Sequence, residues 1–149
     1  MDASPATMVE RLRDATNAHD LDALVDCFAD TYRNETPAHP GRGFTGREQV
    51  RTNWTQIFAA VPNVTAVVDH IVVDGNDVWS EWEMHGTRRD GSAHLMRGVI
   101  IFGVHDGRAA WARFYLEPVD PGGEGATAAV HSIVGGVGSV VGATQGKVN

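Results

Sequence analysis

Apolar residues recur at helical spacing through about the first 62 positions and at every second position from Val64 onward, so the pattern divides the chain into a helical opening and a strand-rich body. Met8, Leu12 and Ala15 stand at i, i+4 and i+7 behind Ser4 and Pro5, an N-cap and a first helical residue, and predict a helix over 5–18. Asp20 offers a second cap ahead of Leu21, Leu24, Val25 and Phe28, a short helix that completes a helical hairpin. Tyr32-Arg33-Asn34-Glu35-Thr36-Pro37 reads as a short extended piece. His39-Pro40-Gly41-Arg42-Gly43 then forms a loop of the composition that often rims a site. Thr45-Gly46-Arg47-Glu48 has the spacing of a capping box, and Val50, Trp54, Ile57, Phe58 and Val61 supply the apolar face of a third helix stopped by Pro62.

Beyond Val64 the turn signals Asp74-Gly75, Asp90-Gly91 and Asp106-Gly107 separate four antiparallel strands, at about 63–73, 77–88, 93–105 and 108–117. A two-residue turn fixes which side chains share a face. Counting from these turns, the first of them placed at Asp74-Gly75 or Gly75-Asn76, puts Val67, Asp69, Ile71, Ser80, Trp82, Met84, Arg97, Val99, Ile101, Ala112, Phe114 and Leu116 on an inner face against the helices. The opposite face then carries His70, Trp79, Glu81, Glu83, His85, Ile100, Phe102, Trp111, Arg113, Tyr115 and Glu117. That mixture of charge and large aromatics suits a partner surface, and a homodimer through it is expected. The fold class is therefore α+β over 1–120, followed by a Gly/Val/Ala-rich tail over 121–149 that is expected to be flexible, with a short added strand or helix as the alternative.

Composition narrows the function classes. With 42% hydrophobic and 21% charged residues, a chain of 149 can bury one proper core. A net charge of −7 without a lysine or arginine run argues against nucleic acid, and no stretch reaches the length of a membrane span. No basic and apolar leader opens the chain, so a cytoplasmic location is expected. Cys27, the single cysteine, falls on the buried side of the second helix and reads as core.

Asn17-Ala18-His19-Asp20-Leu21-Asp22-Ala23-Leu24 running into Phe28-Ala29-Asp30, Gly46-Arg47-Glu48 opening a helix, and Tyr115-Leu116-Glu117-Pro118 closing a strand resemble the SnoaL-like branch of the nuclear transport factor 2-like superfamily over about 6–119. The resemblance implies a cone-shaped α+β barrel: three N-terminal helices on a curved antiparallel sheet of about four long strands plus a short one, around a pocket. It implies a hydrophobic small molecule as partner, bound or converted by cyclase- or isomerase-type chemistry without a cofactor, with ligand binding or protein interaction as the non-catalytic alternative. The pocket it implies is lined by Tyr32, Trp54, Phe58, Trp82, Met84, Val99, Phe114 and Leu116. Two catalytic patterns of the superfamily are not kept. Leu12, Thr36 and Val99 stand where ketosteroid isomerase has its tyrosine and two aspartates, and Trp82, Met84 and Phe114 where limonene epoxide hydrolase has Asp-Arg-Asp.

The charged candidates that remain are Asp69 and Arg97 on the counted inner face, Glu35 in the extended segment that borders pockets in this fold, and Glu117 should the register slip. Each is either an acid/base or orienting group in the pocket or a rim charge in water. None of the seven histidines has metal-ligand spacing; His70 beside Glu81 and His85 beside Glu83 read as surface pairs, and no metal is expected. Neither a Gly-x-Ser-x-Gly elbow nor a phosphate-binding glycine loop in strand-to-helix context occurs.

Overall fold

The computed structural model describes residues 4–135. The chain forms two compact units, one ending at Val119 and one beginning at Asp120.

In the first unit, α1 (Pro5–Ala18) starts at Ser4, whose Oγ accepts from the Ala6 amide at 3.2 Å, and buries Met8, Val9, Leu12 and Ala15. α2 (Leu21–Asp26) is capped by Asp20, whose carboxylate accepts from the Ala23 amide at 3.1 Å. Phe28 does not close this helix. It opens β1 (Phe28–Glu35), which pairs antiparallel with the two-residue β2 (Phe44–Thr45) across a short 3-10 turn, Pro40–Arg42. α3 (Arg47–Ala60) follows, so the helices come as a pair and then, after two strands, a third, rather than as three in succession. The expected capping box does not form: Thr45 belongs to β2 and Gly46 takes the cap position, its amide donating to the Tyr32 carbonyl at 2.6 Å, which leaves the threonine one residue too early.

β3 (Thr65–Asp74), β4 (Asp77–Thr87), β5 (Ala93–His105) and β6 (Arg108–Pro118) lie within two residues of the expected strands. With β1 and β2 they make one open sheet of six strands in the order β2-β1-β6-β5-β4-β3. It is mixed rather than purely antiparallel, because β1 runs parallel to β6. α1 is tied to the β3 edge by Asn17, whose amide donates to the Ala66 carbonyl at 3.0 Å and whose carbonyl accepts from the Ala66 amide at 2.6 Å.

Register decides what faces the helices. The β3–β4 turn is Gly75-Asn76 and the β5–β6 turn is Asp106-Gly107, both among the expected pairs. The β4–β5 connection is different. Arg88 and Ser92 close it through an amide-to-carbonyl bond of 2.8 Å, leaving three loop residues, Arg89, Asp90 and Gly91. The Gly91 amide donates back to Arg88 O at 2.9 Å, and its φ of 88° completes a type I turn with a left-handed third residue. An odd loop reverses the parity of β5. Met84 faces Met96, Trp82 faces Gly98 and Ser80 faces Ile100. A bulge at Ala110, between Val104↔Ala109 and Gly103↔Trp111, reverses it again, so Ala112, Phe114 and Leu116 face inward as counted. A further bulge at Asp69, between Val68↔Trp82 and His70↔Glu81, turns Val67 and Asp69 to the outside and Ala66 and Val68 inward.

The counted faces are corrected accordingly: Arg97, Val99 and Ile101 are outer, and Ile100 and Phe102 are inner and buried. Under the helices, the Trp82 indole donates to Ser80 Oγ at 2.8 Å, and that hydroxyl donates to Ile100 O at 2.7 Å. The buried polar atoms of this core are thereby satisfied.

In the second unit, α4 (Ala126–Gly135) lies within the Gly/Val/Ala-rich tail, for which a short helix is the alternative reading; the remainder, 136–149, lies outside the described residues. No helix among the described residues is long and apolar enough to cross a membrane.

Gly98 is the point where the corrected register is most exposed to test. It stands between Trp82 and Leu116 with φ 153°, and a Cβ there would fall 2.1 Å from the Tyr115 carbonyl oxygen. Gly98→Ala is expected to lower unfolding free energy by about 2 kcal/mol or more through backbone strain and overpacking. Urea titration checks it, and wild-type stability in this variant would contradict the register of β5.

Candidate functional site

Beneath α3 the inner sheet face and the β1 side of the sheet enclose a cavity of about 290 Å³. Trp54, Ile57 and Asn53 descend from α3, Met84 and Met96 meet across β4 and β5, and Phe114 and Leu116 come from β6. These walls are apolar because alternate positions of each strand point to one side.

Besides Asn53 on α3, polar groups enter from three places. On β1 and just past it, Tyr32, Asn34 and Thr36 stand two residues apart and project together. The Tyr32 hydroxyl donates to Asn34 Oδ1 at 2.7 Å, and Asn34 Nδ2 donates to Thr36 Oγ1 at 3.5 Å. Burial drives the Tyr32 phenol well above its ordinary range, so it stays protonated and serves as a donor. On β5, His94 lines the pocket, and burial, reinforced by the Arg88 charge, lowers its pKa so that neutral imidazole is favoured. From the 3-10 turn, Arg42 reaches the cavity while remaining exposed. Among the described residues no aspartate or glutamate lines the cavity.

Of the expected pocket residues, Tyr32, Trp54, Met84, Phe114 and Leu116 line the cavity. Trp82 is core, with its indole used on Ser80. Phe58 stacks on His19 at 4.7 Å between ring centroids and leans on Trp54 at 5.4 Å, outside the lining. Val99 is on the outer face, through the parity change of β5. Among the lining residues missed are Asn34, Thr36, Asn53, His94, Met96 and Arg42. The period-two spacing of Tyr32, Asn34 and Thr36 was the available signal for the first of them.

Asp69, Arg97 and Glu35 do not meet in the pocket, and all three stand on the outer side of the sheet. Asp69 shares a hydrogen bond with the Glu83 carboxyl, which raises the pKa of Asp69 and lowers that of Glu83. Glu83 also holds Arg97 at 2.8 Å and His85 at 3.1 Å. Glu35 is bracketed by Arg113 at 2.9 Å and Arg33 at 3.0 Å; the hydrogen bond from Arg113 is the main cause that depresses its pKa. Glu117 lies on the same face, 3.2 Å from His39, and His70 meets Glu81 at 2.8 Å as a surface pair. Among the described residues no group of three or more His, Cys, Asp or Glu side chains is placed to hold a metal ion.

The partial burial of His94 has a consequence for stability. Its folded pKa lies below its unfolded value, so at acid pH the unfolded chain binds the extra proton more readily, and stability falls as pH drops through the unfolded value near 6.5. His94→Gln is expected to flatten that loss. Urea midpoints of both proteins at pH 7.5 and pH 5.5 would show it, and equal losses would mean that the imidazole is not held in its neutral form.

The chain matches the family model of the SnoaL-like domain over residues 9–112. Among solved structures it is similar to IdmH of Streptomyces antibioticus, a candidate polyketide cyclase, at 24% identity and TM-score 0.67, covering 76% of this chain and 92% of that one. It is also similar to RV0760c of Mycobacterium tuberculosis, solved in complex with estradiol-17beta-hemisuccinate, at 21% identity and TM-score 0.66, covering 76% and 94%. An epoxide hydrolase from M. tuberculosis of the LEH-like kind shares 19% identity at TM-score 0.66, covering 76% and 82%. Comparison with the curated proteins yields no match. Family model and fold agree: the chain belongs to the SnoaL-like domain family, with the α+β fold of the nuclear transport factor 2-like superfamily.

Proposed function

We propose that this protein binds a hydrophobic, ring-containing small molecule in the cavity under α3. The observation that carries the reading is a cavity of about 290 Å³ walled by Trp54, Ile57, Met84, Met96, Phe114 and Leu116, with buried hydrogen-bonding groups confined to a few points. This is the composition of a small-molecule site: apolar area for affinity, a few polar atoms for orientation. RV0760c, a protein of the same fold, holds a steroid ester, which accords with a polycyclic guest.

If the guest is also converted, the proton-transfer group within the pocket is His94, with the Tyr32–Asn34–Thr36 row supplying hydrogen bonds to an oxygen of the substrate. Cyclase- or isomerase-type chemistry would then run without the carboxylate pair that other members of the superfamily use.

Titration with 1-pyrenebutanol, an uncharged polycycle, followed by tryptophan quenching, is expected to saturate. Trp54→Ala should weaken binding about tenfold by removing a wall aromatic. Asp69→Asn, on the far side of the sheet, should leave it unchanged. Absence of saturable binding by the wild type would overturn the proposal, and native mass spectrometry of freshly purified protein would reveal a co-purified guest.

A second copy of the chain is proposed to cover the outer sheet face. Trp79 is 50% exposed, Tyr115 43% and Val72 61%, and they stand among ion pairs of both signs, which suits a self-complementary patch. Analytical ultracentrifugation should find a dimer at micromolar concentration and a monomer for Trp79→Glu; a monomeric wild type would exclude the contact.

A further inference from the structure

Every arginine of the first unit but one has a partner among the described residues. Arg11, Arg47, Arg51 and Arg108 hold aspartates, Arg13 holds Asp14, Arg33 and Arg113 share Glu35, Arg97 holds Glu83, and Arg88 and Arg89 donate to backbone carbonyls. Only the Arg42 guanidinium has no hydrogen bond or ion pair among the described residues, its backbone amide alone donating, to the His39 carbonyl. It is also the arginine that lines the cavity, held there by the 3-10 turn Pro40–Arg42 between β1 and β2.

Among the described residues no carboxylate stands within ion-pairing distance of the Arg42 guanidinium. Glu35 is bracketed by two guanidinium groups, and Glu117 faces His39. The cavity wall contributes none of its own. An arginine presents a fixed fork of donors that matches a carboxylate. Placed at the mouth of an apolar cavity in a protein of net charge −7, an unanswered guanidinium is a local reversal of sign where a guest enters.

We propose that the guest is an amphiphilic acid, an apolar ring body carrying a carboxylate, whose ring system lies among Trp54, Met84 and Phe114 and whose carboxylate is bound at the mouth by Arg42. This rests on the pocket reading above and adds the charge of the ligand to it. Asn34 and Thr36, both more than nine-tenths buried, remain inside as neutral donors for a second, uncharged oxygen of the same molecule.

The experiment compares 1-pyrenebutyrate with 1-pyrenebutanol, which share a ring body and differ in charge, on the full chain at low ionic strength. The wild type should prefer the acid by about tenfold, the order expected for one charge-assisted interaction at a partly wet site, and salt should shrink the preference. In Arg42→Met the preference should vanish while the alcohol still binds saturably, which also shows that the variant is folded; Arg42→Lys should keep part of it. Equal binding of acid and alcohol by the wild type, or a preference that survives in Arg42→Met, would overturn the assignment and leave the pocket reading standing. Binding of neither compound would overturn the pocket reading and this inference together.

Discussion

The parity of β5 governs the chemistry of this molecule. One left-handed residue, Gly91, lengthens the β4–β5 connection to three residues, and that single unit of length decides that His94 and Met96 look into the cavity while Arg97 and Val99 look away. The bulge at Ala110 then undoes the reversal before β6, so the two faces stay coherent across the sheet. Had the loop kept two residues, an arginine would stand opposite Met84 inside an apolar chamber. Its charge would need a partner there, and the wall offers no carboxylate.

Much of the architecture was legible from spacing. The caps Ser4 and Asp20 and the four long strands follow from local rules, since each needs information from only a few neighbouring residues. β1 was harder to see: Phe28 continues the apolar stripe of α2, and only pairing with β6, far along the chain, makes it a strand. The pocket was half legible. Trp54, Met84, Phe114 and Leu116 declare themselves by size and period, whereas His94 and Arg97 exchange places through a loop whose dipeptide, Asp90-Gly91, fits a two-residue turn equally well. The bulge at Asp69 is invisible for the same reason: one extra residue leaves no compositional trace.

The sheet separates two chemical environments that the sequence interleaves residue by residue. On the outer side, Asp69, Glu83, Arg97, His85, Glu35 and Arg113 neutralise one another at the surface, where such pairs contribute little to stability. On the inner side, the polarity of the strands is confined to uncharged hydroxyls, amides and an imidazole whose pKa burial lowers, and the one charge that reaches the cavity, Arg42, comes from the 3-10 turn. The described walls of the cavity between sheet and α3 therefore hold hydrogen-bonding groups but no carboxylate.

Cys27 offers a use of another kind. It caps the end of α2, is wholly buried, donates to the Ala23 carbonyl at 3.4 Å, and has its pKa pushed up to about 11 by burial. A thiol so placed is silent toward alkylating reagents while the native packing holds, because the nucleophile is the thiolate and it is neither formed nor reachable. As the only sulfhydryl in the chain, it makes the rate of labelling a direct clock for opening of the junction between helical cover and sheet, read without any added reporter.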